Sequence, residues 1–115
     1  MSDYKVYHNP RCSKSRKALA YLDAKNIEYQ VIEYLKVNPT KEELESVLVK
    51  LGIPAEELIR QGEQDFKEHF KGKILSESDW IEALLKYPKL IERPIVILGS
   101  QAVVARPTER IDELY

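Results

Sequence analysis

Tyr4-Lys5-Val6-Tyr7-His8-Asn9-Pro10-Arg11-Cys12-Ser13-Lys14-Ser15-Arg16 is the stretch on which the reading of the fold turns. Tyr4 to His8 is rich in β-favouring residues, and Asn9-Pro10 is a turn dipeptide that ends the run. From Ser13 onward most residues are good helix formers. Ala18, Leu19 and Leu22 share one face, which predicts a helix to about Lys25 with Cys12 at its N-terminal edge. Beyond it, Glu28 to Leu35 alternates Tyr29 and Val31 with Gln30, Ile32 and Tyr34 and reads as a second strand. Strand, helix, strand is a βαβ unit, which favours parallel pairing and a right-handed crossover.

Outward from this unit the chain turns helical. Asn38-Pro39-Thr40 is a break, and Thr40 with Glu43 fits a capping box. Leu44, Val47, Leu48 and Leu51 follow at helical spacing, and Gly52 with Pro54 supplies the stop. Short helical pieces are expected at Glu56 to Ile59 and Asp65 to Phe70. Ser76 and Asp79 repeat the capping spacing before Ile81, Leu84 and Leu85, with Pro88 as the limit. Residues from about 36 to 92 therefore read as a helical insertion. Pro94 to Leu98 and Gln101 to Val104 flank Gly99-Ser100, a two-residue connection with Gly first, as a type II′ hairpin requires. Pro107-Thr108 then opens a short closing helix carrying Ile111 and Leu114. The order β-α-β, helices, β-β-α predicts an α/β protein with a mixed sheet, and 115 residues suit a single domain spanning 1–115.

Composition removes several function classes. The longest apolar runs, Ile95 to Leu98 and Ala102 to Ala105, are far short of the roughly 20 residues that span a bilayer, so no membrane partner is expected. Met1 to Lys5 leads into patterned sequence without an apolar segment behind a basic start, which makes a cytoplasmic location the simplest reading. Cys12 is the single cysteine and has only His8 and His69 as companions, so a disulfide scaffold and a structural zinc module are excluded, and no metal ligands are assigned. A net charge of −1 offers no global field for nucleic acid. The charge is uneven, however. Residues 1–20 hold five bases against one acid, all in company with the thiol, whereas residues 36–92 hold nine bases against twelve acids. There is no GxGxxG or P-loop.

A thiol at a helix N-terminus faces free backbone N–H groups and the positive end of the helix dipole, both of which favour thiolate. Arg11, Lys14, Arg16 and Lys17 act in the same direction. The competing reading is a small buried hydrophobe, the usual fate of a free cysteine; the polar flanks of Cys12 make that a poor burial site. Ser15 stands where a Cys-x-x-Cys motif would place its second thiol, so any redox cycle must borrow one. Arg16 follows Cys12 too soon for the Cys-x5-Arg loop of cysteine phosphatases.

With these residues the chain resembles the glutaredoxin-coupled arsenate reductase family along nearly its whole length. His8-Asn9-Pro10-Arg11-Cys12 with Ser15-Arg16 is similar to that family's active-site loop, Ile59-Arg60 to its mid-chain arginine, and Arg93-Pro94 and Arg106-Pro107 to its two arginine-proline pairs. The resemblance implies a thioredoxin-like fold, Cys12 as the nucleophile on arsenic, and Arg60, Arg93 and Arg106 converging on the anion. His8, Asn9, Ser13, Ser15, Arg16 and Pro94 would support them, and the Arg93-Pro94 bond would be cis. It further implies arsenate or a similar oxyanion as substrate, no bound cofactor, and glutathione and glutaredoxin as external reductants. Ser13-Lys14 replaces the Gly-Thr common in the family. Two other readings stand beside this one: a relative of the Spx-type regulators, which bind RNA polymerase, and a thiol-transfer protein with no arsenic substrate.

Overall fold

The computed structural model describes residues 3–114; Met1, Ser2 and Tyr115, the outer ends of the 1–115 reading, lie outside the described residues. The elements are β1 (Tyr4–Tyr7), α1 (Ser13–Ala24), β2 (Tyr29–Ile32), α2 (Lys41–Leu51), α3 (Gln64–His69), α4 (Glu77–Lys86), β3 (Ile95–Leu98) and β4 (Gln101–Val104). Turns of 3-10 helix occupy Ala55–Leu58, Pro88–Leu90 and Thr108–Leu114. The chain groups into two compact units, one made of residues through Val37 with those from Arg93 on, the other Asn38–Glu92. The second unit starts two residues inside the insertion read from sequence.

The first unit is a four-stranded mixed sheet in the order β2-β1-β3-β4. β1 and β2 are parallel with Tyr7 opposite Ile32, whereas β1 with β3 and β3 with β4 are antiparallel. Strand alternation sends Val6, Val96 and Val103 to the face where Ala18 and Leu22 of α1 and Ile111 and Leu114 of the last turn complete a core. Asn26 closes α1 in the left-handed region at φ 59°, a conformation Asn tolerates better than most side chains. Gly99 has φ +60° and Ser100 does not take a positive φ, the pattern of the type II′ turn expected there.

Three elements differ from the sequence reading, one in extent and two in helix type. β2 is Tyr29–Ile32 and not Glu28 to Leu35: it is an edge strand with Val31 exposed, and Tyr34 leaves it for a turn that buries its ring against Tyr7 at 6.0 Å. The closing element is a 3-10 helix. Its apolar pair Ile111 and Leu114 are three residues apart, and a three-residue turn puts such a pair on one line. The same spacing of Ala55 and Leu58 explains the 3-10 turn found in place of a helical piece at Glu56 to Ile59.

In the second unit the caps are where the sequence puts them. Thr40 Oγ1 accepts from the Glu43 N–H at 3.1 Å while Glu43 Oε1 accepts from the Thr40 N–H at 3.2 Å, and Gly52 ends α2 at φ 70°. Ser76 caps α4 through the Asp79 N–H. Trp80 is buried against Phe66 and Phe70. No helix among the described residues is long and apolar enough to cross a membrane.

Candidate active site

Strand register decides which side chains meet around Cys12. Tyr7 pairs with Ile95, so the chain leaves β1 toward the cysteine beside the place where Arg93-Pro94 enters β3. Ile95 pairs with Val104, and the ladder continues as the Ala105 N–H donates to the Pro94 carbonyl at 2.9 Å. One step further out Arg93 stands opposite Arg106. The Arg106 Nε donates to the Arg93 carbonyl at 2.6 Å, and its Nη2 donates toward Cys12 Sγ at 3.8 Å. Both Arg-Pro bonds are cis, that of Arg93 as expected and that of Arg106 in addition.

The loop is tied down by its own polar groups. The Cys12 N–H donates to the Asn9 carbonyl at 2.9 Å and the Arg11 N–H to Asn9 Oδ1 at 3.0 Å, an Asx turn. Ser15 is fully buried, and its hydroxyl accepts from the Asn9 N–H at 3.3 Å. The position at which a Cys-x-x-Cys motif carries its second thiol therefore holds the loop against α1. Ser13 is exposed, and Arg16 is exposed with its guanidinium reaching the Pro10 carbonyl at 3.5 Å. Ser15→Ala strands the Asn9 N–H and should cost about 1–2 kcal/mol, read by urea denaturation; a loss too small to measure would show that water replaces the hydroxyl.

Cys12 is the N-cap residue of α1, and its neutral thiol closes no cap hydrogen bond. Burial pushes the thiol up. The Ser15 N–H, the charge of Arg93, the Lys14 N–H and a hydrogen bond from Arg93 together outweigh it, so the thiol is held below its ordinary value. The rate of alkylation by iodoacetamide should rise with pH to a midpoint below the free-thiol value of about 8.5. A midpoint at or above that value would leave the buried-hydrophobe reading.

Arg93 is half-buried, and its Nε is buried with no hydrogen-bond partner among the described residues. A buried donor without a partner is costly unless a ligand accepts from it. Two cations with a donor to spare, beside a thiol inclined to ionise, can neutralise an oxyanion and present it to sulfur. His8 is 7% exposed with no partner for Nδ1 among the described residues, and its imidazole is held below its usual value by burial first, against the raising effect of Glu33 and with a smaller lowering from Arg16. Glu33 escaped the sequence reading. Its signal was the parallel register, which pairs Tyr7 with Ile32 and so brings the next residues of both strands together.

Arg60 belongs to the second unit, where its Nη1 pairs with Glu63 at 2.9 Å and its Nε with Glu92 at 3.3 Å. The Ile59–Ile91 bridge brings Glu92 to it. In the same unit Asp65, Glu68 and His69, the first half-buried and the others exposed, bring ligand-type atoms within 4.8 Å of one another, a group that a count of cysteines passes over. His69 also stacks on Tyr87 at 5.2 Å.

Comparison with known proteins covers the whole of this architecture. The chain is 42% identical over 112 residues to the uncharacterized protein YfgD of Escherichia coli (strain K12), covering 96% of this chain and 94% of that one. It is 38% identical over 114 residues to an arsenate reductase of Neisseria meningitidis serogroup A, covering 97% of each. The structure of an arsenate reductase from Vibrio cholerae superposes with a TM-score of 0.93 at 41% identity, again over 97% of both chains. The mixed four-stranded sheet and its helices are thus those of a thioredoxin-like arsenate reductase fold. A family model described as the ArsC family runs from Tyr7, before the cysteine loop, to Leu114, past both arginine-proline pairs, and on this match the chain belongs to the ArsC family.

Proposed function

We propose that this chain is a cytoplasmic, thiol-dependent reductase of arsenate or a similar oxyanion, with Cys12 as nucleophile and glutathione and glutaredoxin as external reductants. The observation that carries the reading is the Arg106 Nη2 contact to Cys12 Sγ, with Arg93 helping to hold the thiol toward thiolate. Arsenate at neutral pH is largely a dianion, and a thiolate approaching it meets like-charge repulsion unless cations and N–H groups take up the oxygen charge. Arg93 and Arg106 supply planar, bidentate donors for that task. Arg60 joins them as an anion-binding arginine on the family resemblance alone.

The steps balance without a bound cofactor. Cys12 thiolate displaces an oxygen of arsenate as water, and glutathione displaces a second to give a mixed adduct. A glutaredoxin thiolate then attacks the glutathione sulfur. The new S–S bond forms as the arsenic–glutathione bond breaks, its electron pair stays on arsenic, and As(V) becomes As(III). Water releases arsenite and restores Cys12. The only cysteine in the sequence cannot close this cycle alone, which is why two external thiols are required. The test is arsenite formation from arsenate with both reductants and with each omitted; arsenite formed at full rate with neither would sink the reading.

A further inference from the structure

We propose that Arg11, Lys14, Arg16 and Lys17 form a docking collar for a thiol protein with an acidic face around its own reactive sulfur. This rests on the reading of Cys12 as a redox thiol and adds the electrostatic character of the protein that regenerates it. The first observation is that two of these charges, Lys14 and Arg16, oppose the helix they sit on. The N-terminal turn of a helix favours acids, and α2 and α4 obey with Glu42 and Glu43, and with Glu77 and Asp79. α1 has no acid in its first turn and carries Lys14 and Arg16 there instead.

The second observation is that the collar is unneutralised. Within the same unit Lys25 pairs with Asp112 at 3.5 Å, Lys36 with Glu33 at 3.4 Å and Arg110 with Glu113 at 3.1 Å. Among the described residues none of the four collar cations has an acid within ion-pair distance, and all four are exposed. The third is extent. Arg93 and Arg106 already face the sulfur, whereas the collar runs from the loop to a full turn into α1, broader than one small oxyanion. Cys12 is 9% exposed at the head of α1, next in sequence to Arg11 and two, four and five residues before Lys14, Arg16 and Lys17, so the four cations lie on the loop and helical turn that carry the sulfur. Complementary charge speeds an encounter there and repels a basic partner.

The test uses the Cys12–glutathione mixed disulfide of the full chain, formed with oxidised glutathione, and needs no arsenate. A partner thiolate attacks the glutathione sulfur, one S–S bond forms as the other breaks, and Cys12 leaves as thiolate. The probes are a glutaredoxin with carboxylates around its thiol, the same protein with those carboxylates replaced by Lys, and neutral 2-mercaptoethanol. Dividing each protein rate by the mercaptoethanol rate removes any change in Cys12 as leaving group. That ratio should fall about tenfold or more for the acidic glutaredoxin between about 20 mM and 500 mM salt. It should fall by a similar factor in Lys14→Glu/Lys17→Glu, a change that suits the helix dipole, and the Lys-bearing glutaredoxin should recover rate on that variant. A ratio indifferent to salt and to the variant overturns the proposal. So does a single-stranded DNA of about 20 nucleotides that binds the wild type and not the variant while the ratio stays flat, which assigns the collar to a polyanion. Failure of the mixed disulfide to form overturns it together with the redox reading of Cys12. Absence of arsenite formation with the salt response intact removes arsenate and leaves the docking surface standing.

Discussion

Cys12→Ser should abolish arsenite formation, with a loss of at least about 10³-fold, or about 4 kcal/mol of transition-state stabilisation. A hydroxyl at this position has no accessible anion near neutral pH, and the groups that favour thiolate, the Ser15 and Lys14 N–H groups and Arg93, cannot bring it within range. Stability should move the other way. Ser is a favoured N-cap residue and the neutral Cys12 thiol makes no cap hydrogen bond, so at a pH where the thiol is protonated the variant should gain about 0.5–1 kcal/mol in urea denaturation. Activity lost while the fold tightens separates a chemical role from a structural one. Arsenite formation that survived the change would move the nucleophile off Cys12 altogether.

What the sequence reveals here divides along the range of the interactions. Thr40 with Glu43, Ser76 with Asp79 and Gly52 are legible because a cap is made by residues three or four apart, and each stands where its pattern puts it. The charged flanks of Cys12 are legible for the same reason, but the burial of its sulfur is not: those flanks argue against burial, and the structure leaves the residue only 9% exposed. The extent of β2 is not, because its end is set by the burial of Tyr34 against Tyr7, a contact between strands. The pairing of Arg93 with Arg106 lies between these cases. Counting outward from the two-residue turn at Gly99-Ser100 places them opposite each other, so the hairpin carries the information once its register is known. The role of Ser15 is hidden, since a serine in a helical first turn is usually solvated and nothing local says that its hydroxyl is buried beneath Asn9. Arg60 shows the opposite limit. Its family pattern speaks of an anion, but its partners in its own unit are Glu63, one turn away, and Glu92, delivered by a distant bridge.

Arg106→Ala should cost on the order of 2–4 kcal/mol in kcat/KM for arsenate, roughly a 10²- to 10³-fold loss, if its guanidinium donates to charge that develops on oxygen. Arg106 is held for this by its own Nε, which donates to the Arg93 carbonyl at 2.6 Å and leaves Nη2 toward Cys12 at 3.8 Å. The fork geometry lets one group anchor while another acts. Arg106→Lys keeps the charge but offers a single ammonium for both tasks, so it should recover less than about tenfold of the loss. Removing a cation from beside the sulfur also raises the thiol pKa, which alone would lower the rate at neutral pH. The two effects part on a pH profile, because well above the higher of the two alkylation midpoints, that of the variant, the thiolate is fully formed in both proteins. A deficit that persists there belongs to the oxyanion, and one that vanishes there belongs to the thiol. Full activity of the Ala variant above that midpoint would confine Arg106 to holding Cys12 ionised and leave the arsenate oxygens to Arg93, whose unpartnered Nε is the remaining donor.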